Sequence, residues 1–324
     1  TLRNNNISKL IMLLSSPFTS FLLFISFFSS LFFYLHTFKT PIACDYGNEV
    51  EVGRGIKQAI DDGIVKREEL WITSKLWNTY HKAEHVELAC RKSMEDLQLD
   101  YLDLYLIHFP IAMKYVPIET RYPPEWIYDP AAPDPKIVLE PNAPMHLTWA
   151  AMEGLVSSGL TKRIGVCNFN VQLLMDLFSY ATVPPYTNQV ELHPYLTQQA
   201  LVDYCQSKGL KMTAFSPLGS PSYVELNMDQ GLGKGLLDHP DILAVASAHN
   251  KTSAQVLLRW NVQRDICVIP KASQMAHLAE NCAIFDFELT SEEMERISAL
   301  NKNARFNDPG EFCKGMGGAI PIYS

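Results

Sequence analysis

Beyond residue 44 the hydrophobic pattern changes period repeatedly. Segments with apolar residues three or four apart, the spacing of a helix with one buried face, take turns with short apolar runs that stop at Pro or Gly. Such runs belong to strands covered on both faces, as in parallel sheets. Helices are predicted over 49–62, 85–97, 147–157, 173–180, 199–208, 241–249, 254–262 and 292–300, and strands over 71–76, 101–109, 163–169, 187–194, 211–218 and 266–271. In the first helix Val50, Ile56 and Ile60 share a face; in the second, Leu88, Met94 and Leu97 point inward. Gly63 and Gly159 follow the first and third helices as stops. Strands alternating with helices imply an α/β fold with a parallel sheet. No domain boundary or internal repeat interrupts the alternation.

Two stretches stand outside this pattern. Residues 110–144 form a long connection rich in Pro and aromatics, including Tyr122-Pro123-Pro124-Glu125-Trp126-Ile127-Tyr128-Asp129-Pro130. Loops of that length usually carry function, so a lid or substrate loop is expected, with a disordered linker as the alternative. The other stretch is the start: from Leu10 to Phe38 there is no Asp, Glu, Lys or Arg, and Lys9 and Lys39 bracket the run. It is long enough to cross a bilayer. A secretory signal fits poorly, because the apolar run continues too far. A membrane anchor and a translated noncoding stretch, rich in Phe, Ser and Leu, both remain open. Residues 1–43 are therefore set apart from a domain over 44–324.

The run Leu102 to Pro110 places His108 at the carboxyl end of a buried strand, which in a parallel barrel is the catalytic end. A lone histidine there is usually a core residue. Lys75, near the end of the strand before, and Tyr46, ahead of the first helix, can converge on it. Net charge is −8 with no basic cluster, which disfavours a nucleic-acid partner and favours a small-molecule one. The 7 cysteines are scattered, without a C-x-x-C pair, a pattern of reduced intracellular thiols with no zinc site. A doubly wound dinucleotide fold would need G-x-G-x-x-G after its first strand, and none is present. Gly231-Leu232-Gly233-Lys234-Gly235 has no strand before it and reads as a flexible loop. The nucleophile elbow G-x-S-x-G is also missing.

Gly47-Asn48-Glu49 with Val52-Gly53, Ser74-Lys75-Leu76-Trp77, Leu102 to Pro110, Gly165 to Phe169, Asn188 to Pro194, Ser216-Pro217-Leu218-Gly219 and Ile269-Pro270-Lys271 together resemble the aldo-keto reductases, in order and spacing. The resemblance runs from about Ala43 onward, and the Tyr-Pro-Pro loop is similar to the xylose reductase and aldose reductase branch. It implies a (β/α)₈ TIM-type barrel that binds NADPH, or NADH, and reduces an aldehyde or open-chain aldose to the alcohol. A cytoplasmic protein, monomeric or weakly dimeric, is implied as well, with membrane association only if residues 10–38 are an anchor.

Carbonyl reduction needs a hydride and a proton for the developing alkoxide. The resemblance makes Tyr46 the general acid; its reference pKa of about 10 is too high for easy donation at neutral pH. A neighbouring ammonium favours the phenolate, and Lys75 matches the residue that supplies it. His108 matches the residue that orients and polarises the carbonyl. Asn168 and Gln189 match residues that hold the nicotinamide carboxamide, with Cys167 where a serine is usual. Phe215 takes the place of the tyrosine that stacks on the nicotinamide. Ser216 and Leu218 fall in the pyrophosphate turn. Lys271 matches a residue facing the 2′-phosphate, and Glu280 and Asn281 lie near the adenine. Ala272 replaces a hydroxyl residue and His277 an arginine, which lowers the expected preference for NADPH over NADH. Trp77, Phe109 and Trp126 form an apolar substrate wall.

The start departs from the family. Its first two strands should occupy the region of the apolar run, and the aspartate that pairs with the lysine is expected five residues before Tyr46, where Pro41 stands. Asp45 is a separate family residue. The expectation is a barrel incomplete at its N-terminus and a weak catalyst. A second class of reading stays open: a degenerate, non-catalytic nucleotide-binding barrel, tethered to a membrane if the apolar run is an anchor.

Overall fold

A computed structural model of the 324-residue chain describes residues 42–219, 235–272, 274–318 and 320–323. All but the last two positions of the 1–43 segment, and Gly231 to Lys234 of the glycine-rich stretch, lie outside the described residues. The chain falls into two compact units, the first running to Asn188 and resuming over Asp308–Ser324, the second Gln189–Asn307.

In the first unit the order is α1 (Glu49–Asp61), β1 (Thr73–Leu76), α2 (Ala83–Leu97), β2 (Leu104–Ile107), α3 (Met145–Ser157), β3 (Ile164–Cys167) and α4 (Val171–Tyr180). Strand β4 (Thr187–Glu191) leads into α5 (Gln199–Ser207), β5 (Lys211–Phe215), α6 (Pro240–His249), α7 (Ser253–Gln263), β6 (Ile266–Val268), α8 (Met275–Cys282) and α9 (Ser291–Ser298). A short α10 (Pro309–Phe312) belongs to the first unit again. The strands follow chain order in one sheet, and the pairs β1–β2, β2–β3 and β5–β6 are parallel. The alternation read from the sequence is therefore the architecture, an α/β fold with a parallel sheet.

Every residue of β1, β2 and β3 is buried, as the apolar runs of β2 and β3 require and although β1 carries Thr73, Ser74 and Lys75. The predicted strands ran longer, 101–109 against Leu104–Ile107 for example. Hydrophobicity reports burial, and Leu102, Asp103, His108 and Phe109 are buried although they lie outside the strand. Helix starts were predicted late where a polar cap precedes the first apolar residue. Asn170 caps α4 by accepting from the Leu173 N–H, and Thr252 and Thr290 form reciprocal boxes with Gln255 and Glu293 at α7 and α9. Helix α8, which buries only Leu278 and Asn281, was not predicted, because a single buried apolar residue leaves no period.

Of the two predicted helix faces, Ile56, Met94 and Leu97 are buried as expected, and the other three positions are not. Val50 and Leu88 are exposed, and Ile60 is half-buried; the inward faces are Val52, Ile56 and Ala59 on α1 and Val86, Ala89, Cys90, Met94 and Leu97 on α2. The reason is Gly53. A Cβ there would lie 2.4 Å from the Asp96 carbonyl oxygen and 2.7 Å from Leu97, so α1 presses its Gly53 edge against the end of α2.

Residues 110–144 form an ordered loop, which disposes of the linker alternative. Met113 and Leu139 make an antiparallel bridge, flanked by Lys114 N–H to the Val138 carbonyl at 2.8 Å and Glu140 N–H to the Ala112 carbonyl at 2.9 Å. Inside that neck, the Arg121 guanidinium donates to the carbonyls of Pro124, Ile127 and Tyr128 and so closes the loop tip on itself. Among the described residues no helix is long and apolar enough to cross a membrane.

Candidate active site

The parallel register sets the positions of the candidate side chains. Lys75 pairs with Leu106, which pairs with Gly165, so the carboxyl ends of β1, β2 and β3 are level. His108 is the first residue beyond β2, and its N–H continues the ladder to the Leu76 carbonyl at 3.0 Å. Asn168 is the first beyond β3. Tyr46 arrives from the other direction, at the end of a single 3₁₀ turn (Cys44–Tyr46) that Gly47, at φ +61°, breaks before α1 begins.

These elements bring the three candidates together. The Tyr46 hydroxyl lies 3.4 Å from His108 Nε2 and 3.5 Å from Lys75 Nζ. Lys75 is only 2 % exposed and His108 6 %, whereas Tyr46 is 43 % exposed, which leaves the phenol facing outward from a buried base. Burial lowers the Lys75 pKa from the ordinary lysine value. Burial, helped by the Lys75 charge, holds His108 well below the usual histidine range. The imidazole is thus neutral at physiological pH, with one ring nitrogen able to donate and the other to accept. Lys75 also donates to the Ile42 carbonyl at 2.8 Å. Pro41, where the family's aspartate is expected, lies outside the described residues.

Two carboxyl groups adjoin this trio, and neither was singled out for a role from the sequence. Burial raises the Asp45 pKa to about 7, with the Glu125 carboxylate adding to the shift and Lys75 opposing it. Glu49 is buried on α1 and accepts from Ser74 Oγ at 2.6 Å and from the Tyr122 hydroxyl at 3.0 Å. It ties the helix behind Tyr46 to the strand carrying Lys75 and to the long loop.

The predicted apolar wall is assembled. Trp77 contacts His108, Phe109 and Trp126 edge to face, with ring centroids 5.1, 6.3 and 5.1 Å apart. Its indole N–H donates to the Glu125 carbonyl at 3.1 Å, which fixes the loop beside the ring. Phe312 of α10 extends the wall by packing on Trp126 at 5.2 Å, an aromatic the sequence reading did not select.

Asn168 is held at φ +64°, a conformation Asn tolerates better than most residues. Its amide nitrogen donates to the His108 carbonyl at 2.8 Å, and its amide oxygen accepts from the Tyr323 hydroxyl at 2.9 Å. Cys167 ends β3 and is buried.

The remaining cofactor candidates lie in the second unit. Gln189 is buried on β4. Phe215 ends β5 half-buried, and Ser216, at φ +50°, starts a tight turn closed by Gly219 N–H to the Ser216 carbonyl at 2.9 Å, with Leu218 half-buried inside it. Lys271 and His277 are exposed, Glu280 is half-buried and Asn281 buried, the last three on α8. A half-exposed ring, a backbone turn and two exposed basic side chains near one helix start fit a dinucleotide's ring, pyrophosphate and added phosphate. In the same unit, Glu191 is fully buried and accepts from the N–H groups of Phe306 and Asn307, both at 2.8 Å, with His193 Nε2 2.9 Å away. Nothing local marked that anchor, because the two N–H groups it accepts from lie more than a hundred residues onward.

A family model described as the aldo/keto reductase family matches residues 42–302. The chain belongs to the aldo/keto reductase family. It is 51 % identical over 289 residues to a probable NAD(P)H-dependent D-xylose reductase of Aspergillus clavatus, covering 87 % of this chain and 86 % of that one. Among solved structures, the aldose reductase of Schistosoma japonicum superposes with a TM-score of 0.74 at 35 % identity, over 87 % of this chain and 85 % of that one. An aldo-keto reductase of Bombyx mori, determined in complex with NADP, gives 0.72 at 36 % identity, over 86 % and 82 %. The parallel α/β fold is that of the aldo/keto reductase TIM barrels.

Proposed function

We propose that this aldo/keto reductase reduces an aldehyde or open-chain aldose, D-xylose among them, to the alcohol with NAD(P)H, and that Tyr46 is the proton donor. The observation that carries the reading is the position of the Tyr46 hydroxyl, 3.4 Å from His108 Nε2 and 3.5 Å from Lys75 Nζ. A reduced nicotinamide, when bound, supplies the hydride. The residues supply the rest. Lys75 is desolvated, so its charge acts on the phenol with little screening and favours release of the proton to the alkoxide. His108, neutral, orients the carbonyl through a hydrogen bond. Trp77, Phe109 and Trp126 exclude water from the reacting carbon. Asn168 and Gln189 would hold the nicotinamide carboxamide; Phe215 would stack on its ring; Ser216 and Leu218 would face the pyrophosphate. Lys271 and His277 would meet the 2′-phosphate, with Glu280 and Asn281 at the adenine. The family relationship and the names of the relatives support cofactor and substrate class.

The test uses the full chain, following NADPH absorbance with D-xylose and with a simple aldehyde. Tyr46→Phe is expected to cut turnover by on the order of 10²-fold or more while leaving NADPH affinity within about twofold. Undiminished turnover in that variant would remove Tyr46 from the role. Saturable NADPH binding without turnover of any aldehyde by the parent chain would favour a non-catalytic barrel.

A further inference from the structure

The last described residue of the chain touches the candidate site. Tyr323 is half-buried, and its hydroxyl donates to Asn168 Oδ1 at 2.9 Å across 155 positions of sequence. Asn168 in turn donates from Nδ2 to the His108 carbonyl at 2.8 Å, and the His108 N–H is bonded to Leu76 at the end of β1. A line of hydrogen bonds therefore joins the C-terminal tail, through one amide, to the backbone of the residue nominated to orient the carbonyl.

The tail is built to hold that hydroxyl in place. The Met316 carbonyl accepts from the Ile137 N–H at 3.0 Å, and the Ile320 N–H reaches back to the Pro309 carbonyl at 3.3 Å. Ile322 closes a tight turn on the Ile320 carbonyl at 2.9 Å, one residue before the tyrosine. Gly310 lets the tail fold onto itself, since a Cβ there would stand 3.1 Å from Pro321 Cα. Asp308 Oδ1 accepts from the Gly310 N–H at 2.7 Å and pins the same bend.

A primary amide carries two N–H donors and one carbonyl oxygen. In Asn168 the oxygen faces Tyr323 and one N–H faces His108, which fixes both the torsion of the amide and the direction of its second N–H. Held only at His108, the amide could pivot about that single bond. We propose that Tyr323 is a positioning residue for cofactor binding: its phenol locks the Asn168 amide so that the second N–H is aimed at a carbonyl acceptor on the ligand. The inference rests on Asn168 being a carboxamide-binding residue, as set out above. The Tyr323 hydroxyl bonds the Asn168 amide, and its effect on the ligand is expected through that amide.

Fluorescence titration of the full chain with NADPH, run beside thermal melts, tests this without relying on turnover. Tyr323→Phe keeps the ring and removes only the donor. It is expected to weaken NADPH binding about fivefold, the effect of one ordinary hydrogen bond, with Tm unchanged. Asn168→Gly, which tolerates the left-handed backbone of that position, is expected to weaken binding about tenfold or more. Adding Tyr323→Phe to Asn168→Gly should then cost nothing further. If Asn168→Gly binds NADPH as the parent does, the carboxamide reading itself falls and takes this proposal with it. If Asn168→Gly is weakened but Tyr323→Phe is unchanged or tighter, only the proposal falls. Equal weakening by Tyr323→Phe in both backgrounds would show a packing effect and overturn the positioning role.

Discussion

At the scale of the residue, the side chains that matter are those whose surroundings differ most from water. Lys75 and His108 are nearly inaccessible, and burial lowers the pKa of both. Both were legible in the sequence, at the ends of apolar runs that announced buried strands, and the motifs around them supplied the roles. Glu49, Phe312 and Tyr323 were not assigned roles, because what gives them importance is a partner far along the chain: Tyr122 for the first, Trp126 for the second, Asn168 for the third. Asp45 escaped in a different way, since its neighbour Tyr46 drew the attention and its raised pKa arises from Glu125 and from burial. His277 supplies a residue-scale prediction. It is exposed on α8, where an arginine could hold a phosphate with two parallel hydrogen bonds and a permanent charge that histidine lacks. His277→Arg is expected to raise the NADPH-over-NADH ratio of binding constants by roughly tenfold. A parent chain that already prefers NADPH by several orders of magnitude would contradict the argument.

At the scale of the element, helix α1 shows how a single missing side chain decides packing. The stripe expected from periodicity ran through Val50, Ile56 and Ile60; the buried one runs through Val52, Ile56 and Ala59. The second won because Gly53 allows α1 to meet the backbone of α2 at Asp96 and Leu97. Gly53→Ala would ordinarily stabilise a helix by up to about 1 kcal/mol. Here the new methyl would sit 2.4 Å from a carbonyl oxygen, and backbone cannot rotate aside as a side chain can. Overpacking of this kind costs about 1–3 kcal/mol, so the net expectation is loss of stability despite the better helix former. Chemical denaturation should give a lower midpoint with an unchanged slope; a higher midpoint would mean that the two helices can separate at little cost. Tyr46 precedes α1 by three residues, so the same variant should also lower turnover. The loop over 110–144 carries a related lesson. Its proline content and aromatics signalled a functional segment, but the neck between Met113 and Leu139 and the closure by Arg121 depend on contacts that no local pattern encodes.

At the scale of the whole molecule, pH tests how buried groups are balanced. His81 is 1 % exposed, and among the described residues neither ring nitrogen has a hydrogen-bond partner. Burial lowers its pKa to about 3 from the ordinary value of 6.5. Between those values the unfolded chain binds a proton that the native state refuses. The stability His81 allows is therefore complete above about pH 6.5 and falls as pH drops toward 3, by up to about 1.4 kcal/mol per unit. Asp45 works in the opposite sense. Its pKa rises from 3.8 to about 7, so the native state keeps a proton that the unfolded chain releases, and its contribution is lost as pH increases through that range. The two trends overlap, and only a difference separates them. The gap in Tm between the parent and His81→Phe should widen in favour of the variant as pH falls from 6.5 to 4; a gap independent of pH would show that burial does not lower the His81 pKa.

The sequence by itself determined most of the strands and helices, and that the strands run parallel, because burial of an element's face is written in residues two, three or four positions apart; α8 and α10, with little buried apolar surface, escaped it. It also marked Tyr46, Lys75 and His108 as candidates able to converge, and they do lie together, since motifs at fixed spacing survive in the linear order. Only the tertiary structure decided which stripe of α1 faces inward, that Glu49 joins three elements, that Phe312 extends the aromatic wall, and that the Tyr323 hydroxyl reaches Asn168. Hydrogen bonds and ring contacts act over 3 to 6 Å, and the partners in these cases are separated by 25 to 186 positions of chain. Such pairs carry no local signature, and they exist only once the elements between them have been packed.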